Sequence, residues 1–460
     1  MTLHLNRRRL LGAGAAASLA VAGQPFLSTP ASAAVRRDVG GLAAGDPILT
    51  GYQTAIAAMK ALPDTDPTSW VYQAAIHGSV LGPAHPAWAT CEHGTYFFWS
   101  WHRMYLYWFE RIVRSKSGVY NWTLPYWDWT QVAQRPIPAP FRNPASQLYT
   151  ANRNAAMNAG AALSAAATST GGMALVPFNA ASGSLEGTPH GSVHVGVGGG
   201  MSSFSGAGLD PIFWLHHCQV DRLWNLWIAQ GGGRTNPLSD APWKNTQFTF
   251  FKEDGTQVKM TGCQVLRAST QLNYTYESEP PQVHQTCLKL VLVAKARLIL
   301  FKIPLPKPWV LAADVLKFPL VRREDLDVRK RALTIAQNPR ETLLLELKGV
   351  EADRQPGIIW EVYVGLPPNA QPNPESPHYV GNVALFSTGI RSEKHHNYKP
   401  AEFVFALDRA IAAAGDTPSL DLTFVPSAGF VAQGRAPRPR AMAPVRISEA
   451  TLTIESDSQR

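Results

Sequence analysis

"DPIFWLHHCQVDRLW", residues 210–224, sets His216 and His217 side by side in an apolar stretch that reads as a helix. Neighbours on a helix point about 100° apart and do not share a face. A metal approached from one side of this helix therefore takes one histidine and leaves the other. Asp221 lies one turn after His217 on the same face, where pairing with an arginine or a ring N–H would fix the helix. Taken alone, the stretch leaves both histidines open as ligands.

The chain holds thirteen histidines, and six of them sort into two triplets. The first is His77 in "AAIHGS" with His93 and His102 in "CEHGTYFFWSWHR". Nine residues separate the last two, so one continuous helix would put them on opposite faces. His93 is therefore expected before the helix begins and His102 inside it. Phe97, Phe98, Trp99, Trp101, Tyr105 and Trp108 surround that helix with aromatics, which predicts burial on most sides. The second triplet begins with "PHGSVH", which stacks His190 and His194 at i and i+4, with Pro189 suited to a helix start. Either His216 or His217 completes it. Three neutral imidazoles leave a metal able to take an outside ligand, and they suit zinc, copper, iron or nickel alike. A lone histidine in an apolar helix is more often a hydrogen-bonded core residue than a ligand. Six in two matched groups, without acidic or thiolate ligands at comparable spacing, reverse that reading. Two such sites close together suit dioxygen held between two coppers.

"FFWSWHRMYLYWFE" (97–110) and "DPIFWLHHCQVDRLW" resemble the two copper motifs of the tyrosinase, catechol oxidase and haemocyanin family of type-3 copper proteins. "LPYWDW" (124–129) and "YTY" (274–276) are further matches, and the likeness runs from roughly residue 48 to 280. It implies a mainly α catalytic domain, a four-helix bundle around a site for two copper ions. His77, His93 and His102 would hold the first copper; His190, His194 and His217 the second, with His216 in support. Cys91, two residues before His93, matches a position where relatives form a thioether to the histidine ring; a disulfide or a free thiol is the alternative. Glu186 matches the family's water-holding glutamate. Gly191 stands where active tyrosinases often carry an asparagine, Phe204 where a residue overhangs the second copper, and Phe213 would pack over the ligand rings. These matches favour oxidation of o-diphenols to o-quinones, with monophenol hydroxylation weaker. A haemocyanin-like oxygen carrier and an o-aminophenol oxidase of secondary metabolism are the alternatives.

Beyond "QLNYTYESEPPQ" (271–282) the pattern changes. "IIWEVYVGLP" alternates, with Trp360, Val362 and Val364 on one side and Glu361 and Tyr363 on the other; "LDLTFVP" and "TLTIES" also have period two. This predicts a C-terminal antiparallel β-sandwich over residues 291–460, after a linker at 281–290. The region loosely resembles the C-terminal domain of plant polyphenol oxidases, which implies that it covers the copper site and holds the enzyme latent. By contrast, "NAAMNAGAALSAAATSTGGM" (154–173) reads as a surface loop or loose helix.

With 460 residues, 45% hydrophobic and 16% charged, the chain is globular rather than disordered. A net charge of +9 without a basic-aromatic stripe gives no reason to expect nucleic acid. Residues 1–34 read as a signal of twin-arginine type, with Arg7–Arg9 before a short Ala- and Gly-rich core and "ASA" at 31–33. Arg36–Arg37 read as part of that leader. The catalytic domain is then 35–280, the mature protein is secreted or periplasmic without a membrane anchor, and its partners are a phenolic small molecule, dioxygen and a copper-delivery protein.

Overall fold

The computed structural model describes residues 33–79, 81, 85–283, 285–287, 298–338, 341–392, 398–415, 417, 420–431 and 441–456. Residues 1–32 of the signal reading and residues 288–290 of the expected linker fall outside them.

Five helices position the site. α1 (Pro47–Lys60) starts on a proline, with the Asp46 carboxylate accepting the Ile48 N–H. α2 (Trp70–His77) is capped by the Ser69 hydroxyl and delivers His77 at its last turn. α3 (Phe98–Ser117) is buried along most of its length and ends at Gly118, whose φ of 72° favours glycine. α4 (Ser192–Val197) follows a wide helical turn over Glu186–Gly191 that is broken at Thr188. Pro189 thus sits inside that irregular turn, not at the start of a regular helix. α5 (Pro211–Ala229) is capped by Asp210, which accepts the Ile212 N–H at 3.0 Å. Among the described residues no helix is long and apolar enough to cross a membrane.

The aromatic core expected from the sequence forms around these helices. Trp99, Trp101, Trp122, Trp127, Trp129, Trp214, Trp224, Trp227 and Trp243 are essentially inaccessible. β1 (Ala34–Arg36) runs parallel to β2 (Tyr274–Tyr276), so the beginning of the described chain lies beside the "YTY" motif. This corrects the assignment of Arg36 to a leader. Its guanidinium is fully buried, donates to Glu110 at 2.8 Å and lies 3.6 Å over the Tyr274 ring.

The helical region is followed by a sheet-rich one. One four-stranded antiparallel sheet runs in the order Tyr379–Val383, Ile359–Val364, Leu420–Ser427, Leu316–Val321. A second runs Ala401–Ala406, Glu341–Val350, Glu449–Ser456, Leu298–Lys302. Trp360, Val362 and Val364 face the main sheet core as their alternation predicts. The opposite face is not solvated: Ile359 packs with Ala167, Val195 and Ala384. Glu361 is buried too, where Tyr363 donates to it at 2.6 Å.

That second face docks on the helical region and explains why residues 154–173 are poor in large side chains. Instead of a surface loop, this segment holds buried Met157, Ala161, Leu163, Ala166 and Ala167. Ala162–Leu163 pair with Phe430–Val431, and the Ala166 carbonyl accepts from Asn382 Nδ2 at 2.8 Å and Tyr379 Oη at 3.1 Å. Small side chains let the two backbones approach. Cys263 and Cys287 form a disulfide, which ties the stretch after "YTY" back to the helical region.

Candidate metal centre

The two histidine triplets converge. His77 comes from the end of α2, His93 from the loop before α3, and His102 from inside α3. His190 comes from the wide turn, His194 from α4, and the His216–His217 pair from α5. The ligand atoms of His77, Cys91, His93 and His102 lie within 4.8 Å of one another, as do those of His190, His194, His216 and His217. The two groups adjoin: the His102 and His217 rings stack at 4.4 Å, and His93 and His190 stack at 5.4 Å.

Backbone carbonyls set the ring orientations. Phe204 O faces His77 Nδ1 at 3.2 Å, Phe98 O faces His102 Nδ1 at 2.8 Å, Glu186 O faces His190 Nδ1 at 2.9 Å, and Met201 O faces His194 Nδ1 at 2.7 Å. A carbonyl only accepts, so each of these rings carries its proton on Nδ1 and offers the Nε2 lone pair. Burial keeps the imidazoles neutral: it holds His93, His102, His194 and His217 well below the usual range and His190 down to about 3. His194 Nε2 and His217 Nε2 stand 3.1 Å apart, close enough to converge on one ion. A neutral, all-nitrogen, water-shielded donor set of this kind fits two copper ions.

His216 differs. It is fully buried, but its Nδ1 accepts the Trp129 indole N–H at 3.1 Å. Cys91 Sγ lies 3.4 Å and 3.8 Å from the two nitrogens of His93, against its ring; it also lies 3.3 Å from His102 Nε2. Cys91 is outside the disulfide.

Glu186 accepts the Gly94 N–H through Oε1 at 2.6 Å. Burial pushes its carboxyl up to about 8, against the stabilising Gly94 bond. It lines a cavity of about 940 Å³ together with Tyr96, Phe178, Phe386, Phe403 and Lys399. Phe213 packs 4.3 Å from His217 and 4.9 Å from His77. Phe204 is placed differently from the expectation that it overhangs the second copper. Its ring packs 4.9 Å from His77 and 5.8 Å from His93, on the side of the first triplet.

The residue covering the second triplet is Phe386, from the sheet-rich region, stacked on His194 at 3.7 Å and 12°. Its ring also lies 5.6 Å from His93 and 5.5 Å from His190. Nothing in "VALFSTG" marks it in the sequence, because its role comes from docking across more than 150 residues of chain.

Behind the ligands, a buried charged cluster joins α3 to α5. Arg103, next to His102, donates to Asp221 at 2.5 Å, and Tyr274 and Tyr276 each donate to Asp221 at 2.6 Å.

The family model for the common central domain of tyrosinase matches residues 67–174 and 142–230, and that for the polyphenol oxidase middle domain matches 238–284. A tyrosinase of Hahella sp. (HcTyr1) is 34% identical over 270 residues, which cover 47% of this chain and 58% of that protein. A polyphenol oxidase of Malus domestica, named chloroplastic, is 28% identical over 445 residues, 83% of this chain and 74% of that one. Among solved structures, a latent aurone synthase (polyphenol oxidase) superposes with a TM-score of 0.66 at 21% identity, covering 94% of this chain and 91% of that one; this likeness shows the fold. Further plant polyphenol oxidases that match are also named chloroplastic. Those names overturn the expectation of a twin-arginine signal and a secreted or periplasmic protein.

Proposed function

We propose that this chain, a copper oxidoreductase of the tyrosinase and polyphenol oxidase family, oxidises o-diphenols to o-quinones with dioxygen and hydroxylates monophenols more weakly. The observation that carries the reading is the pair of adjoining, buried histidine triplets with ring nitrogens turned inward beside a cavity. His77, His93 and His102 would hold one copper, and His190, His194 and His217 the other. When bound, the copper pair supplies the binding and reduction of dioxygen and takes the electrons of the phenol. The protein supplies the rest. Carbonyl-held imidazoles would hold the two ions without reorienting, and Phe213 packs against the His77 and His217 rings. Glu186 Oε1 is anchored by Gly94, which leaves Oε2 to hold a water or take a phenol proton. Overall, two diphenols each lose two electrons and two protons, and one dioxygen becomes two waters.

Gly191 has no side chain with which to polarise that water, which favours diphenols. An added Cβ there meets only ordinary contacts at 3.4 Å, with the Ala384 and Glu186 carbonyls. Gly191→Asn is therefore expected to raise the ratio of monophenol to diphenol rates, toward the ~100-fold that a positioned proton-transfer group contributes. Steady-state rates on tyrosine and a catechol measure it; an unchanged ratio counts against this role for Glu186 and its neighbour.

The reading includes a Cys91–His93 thioether, supported by the sulfur lying within 3.4 Å and 3.8 Å of the two ring nitrogens. Intact mass after full reduction then shows a persistent deficit of two hydrogens, whereas a free thiol shows none. It also assigns residues 35–280 to catalysis and 291–460 to an inhibitory cover, with Phe386 as the plug. The decisive assay incubates copper-loaded protein with 4-tert-butylcatechol, tyrosine and an o-aminophenol in parallel, with the full chain and with a form cut after the linker. Quinone from the catechol is the expected result. Preference for the o-aminophenol moves the substrate class, and silence in both forms favours an oxygen carrier.

A further inference from the structure

Geometry alone does not choose between the two histidines of the pair. His190, His194, His216 and His217 place ligand atoms within 4.8 Å of one another, so His216 is close enough to compete for the second copper. Its ring stacks on His190 at 5.5 Å and 14° and meets His194 edge-on at 4.8 Å. Something must keep it out of the ligand set.

We propose that Trp129 is the positioning residue that does so, by locking His216 in the one neutral tautomer that cannot bind metal. This inference rests on the copper reading above. An indole N–H only donates, so the 3.1 Å bond from Trp129 Nε1 requires a lone pair on His216 Nδ1. A ring that accepts at Nδ1 is not the doubly protonated imidazolium, so it carries one proton only. Its single proton is therefore on Nε2. One nitrogen is occupied by Trp129 and the other is capped by hydrogen, so neither can coordinate. This is the inverse of His77, His102, His190 and His194, whose Nδ1 atoms face carbonyls and whose Nε2 atoms are free of protons. His216 Nε2 is buried and meets no acceptor at hydrogen-bonding geometry among the described residues. Trp129 sits in "LPYWDW" and is held with Trp127 in the aromatic core, which gives the donor a fixed position.

The test is copper content, read in a double replacement. His217→Ala alone should hold one copper per chain. Adding Trp129→Phe, which keeps a flat apolar ring and removes the donor, lets His216 take the Nδ1–H tautomer and ligate through Nε2. The content should return from one copper to two. If the double variant folds and still holds one, the lock is wrong. If His217→Ala alone already holds two, His216 ligates despite Trp129 and the lock is wrong; the copper reading itself fails if the unaltered protein holds fewer than two, which is a distinct outcome. Histidine ¹⁵N–¹H couplings of the unaltered apoprotein give an independent readout that needs no variant to fold. They should show His216 as an Nε2–H ring beside Nδ1–H rings at His77, His102, His190 and His194; a centre with every ring in the Nδ1–H form overturns the proposal.

Discussion

Phe386→Ala is expected to raise catechol turnover of the full chain about 30-fold while lowering its thermal stability. The ring fills the approach to the second triplet, stacked on His194 at 3.7 Å, and opens on its other side to the cavity of about 940 Å³. On the proposed reading, a phenol would have to displace it before reaching the histidines. Burial of one phenylalanine side chain contributes about 2 kcal/mol, which corresponds to about 30-fold at 1.4 kcal/mol per tenfold. The neighbouring hold is polar and stays in place: Asn382 donates to Ala166 and Ser192, and Gln355 Nε2 donates to the Ser202 carbonyl at 2.6 Å. The variant thus separates the plug from the docking surface. Rates of quinone formation with the sheet-rich region still attached measure the effect. An unchanged rate would place the block elsewhere in the docked region.

Asp221→Ala should be the most damaging replacement outside the histidines, costing about 3–5 kcal/mol because it strands buried positive charge. The Asp221 carboxylate holds Arg103 at 2.5 Å, Tyr274 and Tyr276 at 2.6 Å, and Arg36 at 3.5 Å, all without access to water. Arg103 follows His102 and Asp221 follows His217 by one turn, so this one carboxylate couples the two helices that carry a ligand of each copper. Its loss should also weaken copper retention by about 10–100-fold, the usual consequence of removing support behind a ligand. Denaturant midpoints and copper titration check both effects. A variant with wild-type stability and full copper would show that the cluster is incidental to the centre.

The catalytic part of this fold was legible because its ligands come at diagnostic spacings. His190 and His194 share a helical repeat, and the nine-residue gap from His93 to His102 forces one of them off the helix. The tyrosines of "YTY" and Asp221 were visible as motif and position, but their shared partner Arg36 was not. Two adjacent arginines near a leader look like surface charge until β1 pairs with β2 and buries the first of them. The docking of the sheet-rich region was hidden for a related reason. Period-two patterning reports that a strand has two faces; it does not report whether the polar one meets water or another layer. Glu361 and Tyr363 satisfy each other in the dry, a pairing that the alternation does not announce. The small residues of 154–173 likewise read as loop, although smallness is what a close backbone contact requires. The wide turn at Glu186–Gly191 departs from the simple helix predicted from Pro189, because a proline disfavours helical backbone at the residue before it and Thr188 is extended there.

The central claim is that the two histidine triplets make a paired copper centre, and the copper content of the folded chain tests it most directly. Two copper ions per chain are predicted for the unaltered protein. One is predicted for His102→Ala, which empties the first site, and one for His194→Ala, which empties the second. A folded protein that takes up one copper or none under saturating metal, or variants that still hold two, would contradict the account.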